Sequence, residues 1–153
     1  MNSPLECRVH HRSRRDHFAF AQEAKERLAS APDLLLGKSH RGLHLISGRE
    51  PALETALATL RENYGDVLHV ERNDGCEPIV DARIGVERSH LGAVRAALRR
   101  RGGSPTEEYG GVHYCVLHVQ LPAGRLLGFA AELEALSSAR ATHQFIVSGW
   151  RDR

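Results

Sequence analysis

Between Glu77 and Gly103 the apolar positions change period. Val80, Ala82, Ile84 and Val86 alternate as one face of a strand, and Leu91, Val94 and Leu98 then recur at the three-and-four spacing of a helix's buried stripe. A strand therefore feeds directly into a helix, which Gly102 and Gly103 end by taking a positive φ, with Arg99, Arg100 and Arg101 where the negative end of the helix dipole favours cations. After a short polar stretch from Ser104 to Tyr109 and a turn at Gly110-Gly111, Val112 to Leu121 predicts a strand with Cys115, Leu117, Val119 and Leu121 on one face, stopped by Pro122. Leu127, Ala130, Leu133 and Leu136 mark a second helix, and Thr142 to Trp150 a last strand. The order is βαββαβ.

The first half repeats that order. Leu5, Cys7 and Val9 alternate as a strand, and Asp16 to Ala31 is helical with Phe20, Ala24, Leu28 and Ala31 on one stripe, ended by Pro32 and Asp33. Leu34–Lys38 and Leu43–Ser47 form a hairpin turned at Ser39 to Gly42. Glu50–Tyr64 is a helix through Leu53, Leu57 and Leu60 with Pro51 in its first turn, and Val67–Glu71 is a strand. The expected fold class is α+β: two tandem ferredoxin-like βαββαβ sandwiches with antiparallel sheets, residues 1–74 and 75–153, joined at Asn73 to Cys76.

Composition narrows the function. At 41% apolar and 26% charged, the chain has the composition of a soluble globular protein. No apolar run approaches the roughly 18 residues needed to span a membrane, and Met1 to Leu36 lacks the basic-then-apolar order of a signal peptide, so cytoplasmic residence is expected. The Met1 start and the end at Arg153 suit a natural short protein. Cys7, Cys76 and Cys115 are odd in number with no CxxC pair, which argues against a disulfide framework or zinc ribbon; Cys7 and Cys115 read as small core hydrophobes. Gly37-Lys38-Ser39 ends like a phosphate-binding P-loop, but that motif needs glycine where Pro32 stands, so no nucleotide site is expected. Of the histidines, His10 and His11 point to opposite faces of a strand, and His113 shares a face with Cys115, which reads as a partly buried histidine beside the core. No metal, cofactor or catalytic site is expected, and the chain is read as a non-enzyme.

The residues of the second half resemble the C-terminal domain of elongation factor G and its relatives, including the tetracycline ribosome-protection proteins. The resemblance lies in Glu77-Pro78-Ile79, Leu91-Gly92, Val94, Leu98, Arg100-Arg101 with Gly103, Gly110-Gly111, Pro122, Gly128-Phe129-Ala130, Leu133, Leu136 and Arg140-Ala141-Thr142. Leu45-Ile46-Ser47-Gly48 stands where the third domain of that factor has Ile-Ser-Gly, although Arg49-Glu50-Pro51-Ala52-Leu53-Glu54 replaces its usual following signature. The resemblance thus implies the third and fifth domains joined, without the GTPase. Two departures follow: Ala139 replaces a usual glycine, which predicts a different helix exit, and Ser104-Pro105 replaces an isoleucine, which predicts a short edge strand.

The 11 basic and 11 acidic residues up to Asp74 cancel, and 10 against 8 follow, so the excess lies in the second half. Arg88, Arg95 and Arg99 share a helical face that continues to Arg100 and Arg101. In the family this domain meets ribosomal RNA and stalk-base proteins, so these five with Arg140 are the candidate ribosome contact, as phosphate partners. Arg12, Arg14 and Arg15 precede the first helix, where cations oppose the dipole, and form a second basic group. The first reading is a ribosome-associated module binding near the factor site without GTP hydrolysis. The alternative is a protein-interaction or self-association module, a homo-oligomer through open sheet faces carrying Tyr114, Val116, Ile146 and Trp150.

Overall fold

A computed structural model describes residues 4–29, 31 and 33–152. The elements are β1 (Leu5–His11), α1 (His17–Lys25), β2 (Leu34–Ser39), β3 (Gly42–Ser47), α2 (Glu50–Tyr64), β4 (Leu68–Asn73), β5 (Cys76–Glu87), α3 (Arg88–Arg100), β6 (Thr106–Gly110), β7 (Tyr114–Pro122), α4 (Phe129–Leu136) and β8 (Thr142–Asp152). They form a mixed α+β fold around one eight-stranded sheet, ordered β4-β1-β3-β2-β8-β5-β7-β6. The order of the first four strands recurs in the second four.

The two separate antiparallel sheets expected above are therefore corrected to a single mixed sheet. β2 and β8 run parallel, with Lys38 opposite Ile146. Each would otherwise be an edge with a row of unpaired amides and carbonyls, and joining them removes both edges. Periodicity reports which face a residue takes but not which strand lies beside it, so this pairing has no sequence signature.

The join also sets where the helices lie. Lys38 shares its side of β2 with Leu34 and Leu36, which pack with Phe20, Ala24 and Leu53 of α1 and α2. Ile146, its partner, lies on the side of β8 opposite Phe145 and Val147, which pack with Leu98 and Leu133 of α3 and α4. The helix pairs thus cover opposite faces of the sheet. Leu35 and Ile46, on the first half's helix-free face, consequently enter the second half's core. The strand β5 places Val80, Ala82, Ile84 and Val86 fully inside, opposite Cys115, Leu117 and Val119. Cys7 and Cys115 are buried, as their strand positions predicted, and burial pushes both thiols above their ordinary pKa.

Local chemistry explains the element ends. Asp16 caps α1, its Oδ1 accepting the Ala19 amide at 2.9 Å. That helix stops at Lys25 rather than Ala31, because the amides of Arg27 and Leu28 tighten onto the carbonyls of Ala24 and Lys25, three residues back. The Pro32 stop expected there lies outside the described residues, as do Met1 and Arg153. At the end of α3, Gly102 alone takes the positive φ, 91°. The exit from α4 departs from expectation: Ala139 keeps a left-handed φ of 62° without glycine. The Ala139 amide donates to Glu134 O at 2.9 Å and the Ala141 amide to Ser137 Oγ at 3.2 Å, which fix the turn despite the Cβ cost. β6 is the short, wholly exposed edge strand that Pro105 predicted.

Two further placements are corrected. His113 is exposed rather than packed beside the core, because β7 begins only at Tyr114. Trp150 does not look outward on the face of Ile146: the register slips between Ile79 and Val80, and the extra residue turns Trp150 to the other side. There it packs on the core and meets the first half.

Candidate ribonucleoprotein-facing site and the buried polar row

The six candidate arginines of the second half fall at the start, the middle and the end of α3. At its start, Arg88 donates from Nε to Gly111 O at 2.6 Å, and Arg140 reaches Glu87 at 3.5 Å. Midway, Arg95 Nη2 binds Glu107 at 3.0 Å, which ties the helix to the β6 edge. At its end, roughly 18 Å away by helical rise, stand Arg99, Arg100 and Arg101. Arg101 is structural: it donates to Glu132 Oε1 at 3.1 Å, Arg125 O at 3.0 Å and Leu127 O at 2.9 Å, and lies over the Phe129 ring at 5.3 Å. Arg100 touches Glu132 only at 4.0 Å and leaves 63% of its side chain in water, and Arg99 has no ion pair among the described residues. The structure therefore gathers Arg99 and Arg100 as exposed cations, pins Arg101, and sets Arg88 and Arg140 apart from them.

In the first half, Arg14 pairs with Glu23 and lies over Phe20 and Tyr64, at 5.8 and 6.0 Å. Arg12 and Arg15 are exposed. The Gly37-Lys38-Ser39 run lies in β2, its backbone laddered to β3, so its amides do not form an anion cradle. Lys38 is buried, its Nζ donating to Gln22 Oε1 at 2.5 Å; burial and then nearby Lys25 lower its pKa.

A family model described as elongation factor G C-terminus matches residues 74–152, more than half of the chain. The chain belongs to the elongation factor G C-terminus family. Its family segment begins at the last residue but one of the β4–β5 connection and ends on β8, so it takes in β5, α3, β6, β7, α4 and β8 whole. The chain is also similar to a solved crystal structure from Thermus thermophilus, at 15% identity and a TM-score of 0.46, over 99% of this chain and 41% of that one. This chain thus spans less than half the length of that protein.

Outside the family segment lies a feature the sequence reading missed. Glu6 and His44 are both fully buried. A carboxylate only accepts, so His44 Nδ1 donates to Glu6 Oε2, at 2.5 Å, and His44 Nε2 meets Ser39 Oγ at 2.6 Å. The other Glu6 oxygen accepts from Asn73 Nδ2 at 2.7 Å and Trp150 Nε1 at 2.9 Å. Burial alone would raise the Glu6 carboxyl, but the hydrogen bonds from His44, Asn73 and Trp150 outweigh it and hold its pKa below the ordinary value. Hydroxyl, imidazole and carboxylate stand in the order of an acyl-transfer triad. Ser39 is only 3% exposed, however, and its oxygen also accepts the Arg41 amide at 3.0 Å. The row acts as a clamp: it carries a charge inside the sheet with both carboxylate oxygens engaged, and fastens β1, β3 and β4 to β8. The available signals were Glu6 within an alternating strand and His44 within the apolar run Leu43 to Ile46.

Proposed function

We propose that this chain is a non-enzymatic elongation factor G-like module that associates with the ribosome near the factor-binding site, without GTP hydrolysis. On this reading residues 75–153 act as the C-terminal domain of the factor and residues 1–74 as its third domain, in kinship with the tetracycline ribosome-protection proteins and with a cytoplasmic workplace. One observation carries it: the family match covers the whole second half, and in that segment the C-terminal end of α3 presents Arg99 and Arg100 to solvent beside the pinned Arg101. Exposed guanidiniums at a helix end suit ribosomal RNA phosphates, which they meet in forked geometry. Arg101 supports them by holding the helix end on α4.

The test is sedimentation of the full chain with ribosomes through a sucrose gradient. Comigration is expected at low salt, weakening as salt rises, because each phosphate contact adds about 0.7–0.9 to the salt slope. The double variant Arg99→Glu/Arg100→Glu should remove it, and Arg101 is spared because its reversal would disturb α4. Absence of comigration, or comigration unmoved by the double variant, overturns the reading.

A further inference from the structure

On the helix-free side of the first half lies a cavity of about 290 Å³, lined by Arg8, His10, His17, His40, Arg41 and Glu71. Its walls come from β1, the start of α1, the β2–β3 turn and β4. Cations and imidazoles dominate it: Glu71 is the one carboxylate among its lining residues, and that carboxylate is shared with Arg8 at 3.3 Å and His69 at 3.1 Å. Two of its nitrogens, Arg8 Nε and His17 Nδ1, are buried with no hydrogen-bond partner among the described residues. A buried polar group left unpaired is costly, and Arg8 Nε, always a donor, with His17 Nδ1, a donor when protonated, together call for an acceptor. The guanidiniums of Arg8 and Arg41 lie over the Trp150 ring, 5.5 and 4.9 Å from its centre, which restrains them while leaving N–H edges for an oxyanion. Trp150 is itself tied to Glu6.

We infer that this cavity binds a phosphate group, with Arg8, Arg41 and His17 as its donors. A phosphate has the acceptor oxygens these donors lack, and imidazoles that take up a proton add charge as it enters. The His10 ring packs on His17 and His69, with centroids 4.6 and 4.8 Å apart. Burial, then His17 and His69, lower the His10 pKa, with Glu71 opposing and Arg12 adding to the effect. An anion among them would oppose that lowering, which couples binding to proton uptake. The phosphate could arrive free or within an RNA strand, and the chemistry of the cavity is common to both. The inference does not rest on ribosome association, which concerns the far end of α3.

Calorimetric titration of the full chain with inorganic phosphate and, separately, with an oligouridylate of about ten residues tests it. The fluorescence of Trp150, the single tryptophan, serves as a local reporter. Saturable binding with a fluorescence change is expected, and for the oligouridylate, whose phosphodiesters keep one charge over this range, it should be about tenfold tighter near pH 6 than near pH 8. Arg41→Ala, in an exposed turn, should weaken it about tenfold, His17→Ala should weaken it as well, and His10→Ala should flatten the pH dependence, whereas Arg99→Glu/Arg100→Glu should leave the Trp150 fluorescence response unchanged. Binding of both probes with the Trp150 fluorescence change marks a site open to free phosphate, and that change with the oligouridylate alone marks an RNA contact at this cavity; either supports the inference. No saturable heat with either probe, or binding indifferent to both Arg41→Ala and His17→Ala, overturns it.

Discussion

β1 and β5 occupy the same place in the two strand orders, yet their helix-free faces are built differently. On β5 that face carries Asp81 and Arg83, which pair near the surface with Gln120 and Glu108. On β1 it carries Glu6, fully buried, and Arg8, whose Nε is buried as well. The sheet explains the contrast. The second half crosses over the first half's bare face with Trp150, Leu35 and Ile46 at the contact, so a carboxylate that would be solvated on β5 is enclosed on β1. An enclosed charge must find donors, and Glu6 has three; a surface charge such as Arg83 needs none, and its pairing is worth only a fraction of a kcal/mol. Equivalent strands therefore diverge according to what covers them.

The largest test of the contrast is Glu6→Ala, which strands the His44, Asn73 and Trp150 donors. It should lower unfolding free energy by about 3–5 kcal/mol, against under about 0.5 kcal/mol for Arg83→Gln, by denaturant melts followed at Trp150. The wild-type difference should depend on acid. Because the folded Glu6 pKa is depressed below the ordinary 4.5, its contribution is present above that value and lost as pH falls through the folded pKa. A mild Glu6→Ala, with no acid dependence, would show the clamp to be idle.

Next in size is Gly37→Val, which probes the crossing itself. A Cβ at Gly37 would stand 2.9 Å from Val147 Cγ2, on β8. Overpacking there should cost about 1–3 kcal/mol, measured as a shift in melting temperature; a neutral result would mean that β2 and β8 do not lie side by side. The smallest is Ala139→Gly. Relief of a left-handed alanine should stabilise by about 0.5–1 kcal/mol, and a loss of stability in the same melt would contradict the turn described for α4.

Much of this architecture was legible because local pattern carries it. The span Glu50–Tyr64 and the inward row Cys115, Leu117, Val119 and Leu121 follow from period and proline placement alone. What stayed hidden is non-local. Glu6 and His44 are 38 positions apart, and nothing in either neighbourhood announces the other. Trp150 was misassigned because a one-residue slip reverses a face without altering the sequence alternation. The arginine stripe on α3 was visible, but spacing does not show that Glu107 and Glu132 reach back to occupy most of it.

The helix pairs covering opposite faces make the halves mutual guests. Leu35 and Ile46 belong by sequence to one half and by packing to the other. Severing the chain between Asp74 and Gly75 would leave these two side chains facing water and Glu6 without the indole that caps it, so neither fragment would inherit the interior it has in the intact molecule.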